Sequence, residues 1–163
     1  MDSDVIATKI EALCPTPSLA LDDSTRGETA QAVNEVLLAL YPLLISVSRD
    51  MMAEDGRKWY EAEKSQSLGM SCDAFAKSYG GETAWKNAEP GLARLKALLT
   101  SHKKTDGPFI RGKDVTYGDF LIVSLLEWTK RSGDGEVFQR IVQAEQTISD
   151  LYEACRPWLS RSN

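Results

Sequence analysis

Val115-Thr116-Tyr117-Gly118-Asp119-Phe120-Leu121-Ile122 is the stretch that decides the fold. Thr116 followed three positions later by Asp119 is a helix-start signal. The Thr116 hydroxyl can accept from the Asp119 backbone N–H, while the Asp119 carboxylate reaches back to the Thr116 N–H. Val115 before this cap and Phe120 just inside the helix are placed to close a hydrophobic staple. The run from Phe120 to Leu126 is apolar on every face, and no side of such a helix suits water. It is therefore expected at the centre of a helical bundle. A reciprocal cap matters there, because the first N–H groups of a buried helix have no solvent to turn to.

Outward from that centre, a period of 3.6 dominates and no segment alternates as a strand would. Residues 3–13 read as a short helix with Val5, Ile6, Ile10 and Leu13 on one side. Cys14-Pro15-Thr16-Pro17 stops it and forces an extended connection. A long helix begins at Ser24. Its apolar seam, Ala30, Val33, Leu37, Leu40, Leu44, Val47 and Met51, steps by three and four, the pattern of helix-to-helix packing. Pro42 is expected to kink it. Residues 57–69 form a charged helix ending at Gly69, and a short piece from Ser71 or Asp73 runs to Tyr79. Glu82 to about Leu99 is helical, with a kink or new start at Pro90. A polar loop over 102–113 leads to the capped helix, which runs to about Lys130. After a turn at 131–135, Phe138, Ile141, Val142, Ile148, Leu151, Tyr152 and Cys155 face inward on one or two helices that Pro157 ends. The expected fold class is an all-α helical bundle.

The chain has 163 residues, a length that can bury a core without staples. A net charge of −5 argues against nucleic acid or an anionic membrane as partner. No segment has the ~18 uninterrupted apolar residues of a membrane span. Cys14, Cys72 and Cys155 are scattered, with no metal spacing, and read as free thiols of a reducing, cytoplasmic location. Cys155 and Cys14 are expected to pack as small hydrophobes. Cys72, near a helix start, has a weaker second reading as a thiol of modestly lowered pKa. The lone histidine, His102, beside Lys103 and Lys104, reads as a solvated residue in the last turn of a helix; it supports neither a metal site nor a triad.

Several runs resemble the C-terminal helical half of glutathione S-transferases. Gly107-Pro108-Phe109-Ile110-Arg111-Gly112 is similar to that family's Gly-Pro-Phe-hydrophobic-x-Gly lead-in. Tyr117 and Phe120 match its capped helix, and Trp128-Thr129-Lys130-Arg131 resembles its Trp-x-Lys-Arg ending. Gly81-Glu82-Thr83-Ala84-Trp85 resembles a run of the fungal UstS-like subgroup, which is related to bacterial lignin β-etherases. Thr116 and Gly118 depart from the usual Ser and Ala. The start of the chain looks like a transferase lacking most of its thioredoxin-like N-terminal domain. Residues 1–19 would be the last helix of that domain plus the connector, and 20–163 the helical domain.

By this resemblance Asp2 would meet the γ-glutamyl ammonium of glutathione and Ser3 its carboxylate; read from the residues alone, both are N-cap residues. Glutathione is thus expected as co-substrate of the complete fold, with no cofactor for these residues alone. Nothing in the chain corresponds to the Ser, Tyr or Cys that activates the thiol in the family, so no catalytic residue and no metal ligand is assigned. The helical half is expected to supply the pocket for a hydrophobic small molecule. Its candidates are Tyr41, Met51, Met52 and Trp59, with Tyr60 beyond; core or dimer seam is the competing reading of each. Arg57, Lys58 and Lys64 are expected on a solvated face. Two functions follow: the helical half of a glutathione transferase, or a non-catalytic helical protein–protein interaction domain. A homodimer or a partner protein is expected to cover Val5, Ile6 and Ile10.

Overall fold

A computed structural model describes residues 3–160 of the chain. Among them lie eight helices: α1 (Ser3–Leu13), α2 (Thr25–Asp50), α3 (Glu54–Leu68), α4 (Cys72–Tyr79), α5 (Gly81–Ser101), α6 (Tyr117–Arg131), α7 (Glu136–Ala144) and α8 (Gln146–Leu159). The expected all-α class holds. Gly69, at φ 70°, ends α3 in the left-handed conformation that glycine adopts without strain. The Ser71 hydroxyl accepts from the Ala74 N–H at 3.2 Å and starts α4. Glu145, extended at φ −145°, separates α7 from α8. α1 ends at Leu13, just before Cys14-Pro15, as expected, but the later prolines end no helix: α2 and α5 run through Pro42 and Pro90, and α8 passes Pro157 by two residues. His102 caps the end of α5 and is half-buried rather than solvated.

The cap of α6 closes, and it does more than the spacing implied. Asp119 is fully buried. Its Oδ2 accepts from the Thr116 N–H at 2.7 Å and from the Thr116 hydroxyl at 2.8 Å. Its Oδ1 accepts from the Ile110 N–H at 2.8 Å, a partner from the preceding loop. Burial pushes the Asp119 carboxyl above its ordinary value, against the pull of these donors. Phe120 meets Trp158 edge to face with centroids 5.5 Å apart, while Val115 packs on the main core. The helix is not buried all round, as its composition suggested. Ser124 is exposed and Trp128 half-buried, because that stripe borders a cavity.

The loop before the cap is held by sterics and charge. Phe109 and Gly112 exchange two backbone hydrogen bonds of 3.0 and 2.9 Å. A Cβ on Gly107 would lie 2.2 Å from the Gly112 carbonyl oxygen; one on Gly112, at φ 96°, would lie 2.0 Å from that of Thr105. Both positions need glycine. Arg111 then forks onto Asp23 through two bonds of 2.6 Å, and Asp23 accepts from the Thr25 N–H at the start of α2. The Arg111 guanidinium holds Asp23 well below the usual carboxylate range. One loop thus fastens the starts of α2 and α6 together.

The core face of α2 is not the seam that large apolar residues suggested. Thr25, Thr29, Ala32, Val36, Leu40, Pro42, Leu44 and Ile45 are the residues buried, so that only Leu40 and Leu44 of the expected seam take part. Ala30 and Met51 are exposed, and Val33, Leu37 and Val47 only half-buried. Close approach explains the shift. A Cβ on Gly91 of α5 would come 2.8 Å from Val36 Cγ2, and one on Gly118 of α6 would come 3.3 Å from Thr29 Oγ1. Small residues on all three helices set the contact face, and the bulkier Val33 and Leu37 turn aside from it. By length and mean hydropathy α2 could cross a membrane, although no part of it is apolar without interruption over ~18 residues. In this fold its apolar positions serve the core and the cavity instead.

At the other end, the apolar side of α1 has no cover among the described residues. Val5, Ile6, Ile10 and Leu13 are 52, 41, 55 and 81% exposed. Its connector is nonetheless fixed: the Glu11 carboxylate accepts from the Leu19 N–H, and the Leu19 carbonyl accepts from Tyr117 N–H at 2.8 Å.

Two outcomes follow from these contacts. Asp119→Ala strands the buried N–H groups of Ile110 and Thr116 and should cost about 3 kcal/mol in urea unfolding, with Asp119→Asn losing less. A variant as stable as the parent would contradict the assigned role. The 163-residue chain should self-associate with rising concentration in light scattering, and Ile6→Lys with Ile10→Lys should return it to a monomer.

Candidate functional site

A cavity of about 670 Å³ opens where α2, α3 and α6 meet. α2 contributes Val33, Leu37, Leu38 and Tyr41; α3 contributes Lys64, Ser67 and Leu68; α6 contributes Ser124, Leu125 and Trp128. The wall is almost entirely apolar because the i, i+4 rows beside the α2 core face and along α6 converge on it. Its polar atoms are few. The Tyr41 and Tyr60 hydroxyls are hydrogen-bonded at 3.0 Å. Burial, then the bond to Tyr41, raises the Tyr60 phenol well above its ordinary value, so it stays protonated. Lys64 Nζ lies 5.5 Å from the Tyr60 ring centroid. The lining contains no carboxylate, imidazole or thiol. Such a wall can bind an apolar molecule and orient it; it offers no general base.

Of the residues singled out from sequence, Tyr41 lines this cavity. Met51 stands at the exposed end of α2, and Trp59 is 66% exposed on α3. Met52 packs against a small second core of Ile45, Tyr60 and Cys72. Asp2 and the Ser3 side chain lie outside the described residues. Arg57 and Lys58 do occupy a solvated face, with Lys58 on Glu54 at 2.6 Å. Lys64 does not: it is half-buried at the cavity. Sequence reasoning missed Val33, Leu37, Leu68, Ser124 and Trp128 as wall residues. The one available signal was the Ser124 that interrupts an otherwise apolar helix.

The cysteines also differ from expectation. Cys14 is exposed rather than packed, since the connector around it meets no apolar surface among the described residues. Cys72 is buried, and its thiol is pushed up to about 11 by desolvation and by the neighbouring Glu61, not lowered. The Glu61 carboxylate accepts from Arg49 at 3.0 Å and from the Cys72 N–H at 3.0 Å, which holds it down at about 2. Cys155 is core, as read, its thiol pushed up to about 12 by burial. Among the described residues no group of His, Cys, Asp and Glu could hold a metal ion.

A second hollow of about 510 Å³, beside α2, α5 and α7, is closed to comparable use. The one cation of its lining is already matched: Glu82 accepts from two Arg140 nitrogens at 2.6 and 2.8 Å, and that guanidinium lies 4.3 Å from the Trp85 ring centroid. The Gly81–Trp85 run therefore serves to join α5 to α7.

Comparison with proteins of curated function finds no match. Among solved structures, glutathione transferase GSTFuA3 from Phanerochaete chrysosporium superposes with a TM-score of 0.76 at 23% identity, covering 94% of this chain and 62% of that one. GSTFuA2 from the same fungus gives a TM-score of 0.76 at 21% identity, over 99% of this chain and 66% of that one. The chain thus spans less than two thirds of the length of either, and at these identities the likeness shows the fold. The family model for the C-terminal domain of glutathione S-transferase matches residues 29–158. That match takes in α2 to α8 almost whole, with the capped α6 and the cavity inside it, and the chain belongs to the glutathione S-transferase C-terminal domain family.

Proposed function

We propose that this chain is the helical half of a glutathione transferase, and that the cavity between α2, α3 and α6 is the wall against which a hydrophobic co-substrate rests. The observation that carries this reading is the wall itself: a concave, almost wholly apolar surface left open between three packed helices. Burying apolar ligand area there is worth about 25 cal/mol per Å² before the costs of binding. The attacking thiolate would be glutathione's, bound and activated by groups of a thioredoxin-like domain. The chain's own cysteines are poor substitutes, because thiols held at about 11 and about 12 furnish almost no thiolate at neutral pH. A second reading, a non-catalytic helical interaction domain, draws on the uncovered apolar side of α1. The same surface equally suits a preceding domain.

Joining residues 20–163 to the thioredoxin-like half of a GSTFuA transferase provides the test. The chimera should conjugate glutathione to an aromatic electrophile. Leu37→Glu should raise the KM for the electrophile about tenfold, as ~1.4 kcal/mol of lost binding would, and leave that for glutathione unchanged. An electrophile KM indifferent to residue 37 would sink the proposal. In the native 163-residue chain a thiol reagent at pH 8 should label Cys14 quickly and reach Cys72 and Cys155 only on unfolding.

A further inference from the structure

We infer that the α2–α3–α6 cavity prefers an apolar molecule with an anionic end, a carboxylate in particular, seated on the Lys64 ammonium. The inference rests on the co-substrate reading of the cavity and deepens it by naming the ligand's charge. Lys64 is the one ionic side chain in the lining. It is half-buried, and its ammonium faces the Tyr60 ring with no carboxylate paired to it among the described residues. Its neighbours are differently placed: Arg49 holds Asp50, Glu61 and Asp73, and Lys58 holds Glu54. In a chain where acidic side chains outnumber basic ones by 24 to 19, an unmatched cation at the edge of an apolar hollow stands apart.

The two serine hydroxyls of the wall reinforce this choice. The Ser67 hydroxyl donates to the Lys64 carbonyl at 3.0 Å, and the Ser124 hydroxyl donates to the Leu121 carbonyl at 2.8 Å. Both protons are committed within their own helices, so neither serine offers a donor to a ligand. Lys64 does, with three N–H bonds on a flexible stem. An apolar ligand filling the cavity displaces water from around the ammonium and leaves it without a partner. A ligand that also carries a carboxylate restores one through a charge-assisted hydrogen bond, in surroundings where charges interact more strongly than in water.

Calorimetric titration of the 163-residue chain with 2-naphthoate and with its neutral counterpart 2-naphthamide separates the possibilities. The carboxylate should bind about tenfold tighter than the amide. Lys64→Met should abolish that ratio by weakening the carboxylate alone, and Lys64→Arg should retain it, with circular dichroism confirming the helical content of each. Equal binding of both probes to the parent chain, or a ratio that survives Lys64→Met, overturns the anionic preference and leaves the co-substrate reading standing. Binding of neither probe overturns both.

Discussion

One buried carboxylate holds this domain in register. Asp119 takes a hydrogen bond from its own helix cap through Thr116 and another from the Ile110 N–H of the preceding loop. The loop in turn reaches α2 through Arg111 and Asp23. Remove the carboxylate, and three segments lose a common anchor in a place water does not reach. A charge buried alone is a liability; this one is tolerable because every strong donor nearby points at it. The surrounding helices then pack against a rod whose starting point and rotation are already set.

Much of this could be seen before any coordinates. The Thr116-x-x-Asp119 spacing, the apolar run after it, and the breaks at Gly69, Gly80 and Asp134 lie in the local chain, where helix starts and stops are decided. The face of α2 could not be read that way. Periodicity marks which residues avoid water, and a cavity wall avoids it as a core does. Val33 and Leu37 therefore looked like packing residues, while Thr25 and Thr29, which are polar, were passed over. The close packing of Thr29 and Val36 depends on the glycines at 118 and 91, residues far along the chain whose lack of a side chain matters only once the helices meet. Lys64 is a similar case. On a charged helix it resembled its neighbours, and only the hollow that α2 and α6 form beside it sets it apart. Cys72 went astray for a related reason: a helix start lowers a thiol's pKa only where burial and a nearby carboxylate do not act the other way.

The two families of contact in the domain have different chemical temperaments. Between α6 and α8 polar groups are joined in a chain: Lys130 donates to the Tyr152 hydroxyl at 2.7 Å, which itself donates to Glu127 at 2.8 Å. Around the cavity, partners are sparse and apolar surface is open. A scaffold that is fully satisfied in one region can leave another region unsatisfied without losing its shape. That division is what a protein needs in order to present a binding wall on a rigid frame.

α2 embodies the division along its own length. Its rows at 32, 36 and 40 fit the core with no room to spare, whereas those at 33, 37 and 41 look into open space. Exchanging a side chain in the second row alters the contour that a visitor meets and leaves the first row's fit untouched. Lineages built on this helix can therefore wander in what they accept while keeping how firmly they fold, because the two properties are written on adjacent stripes of a single rod.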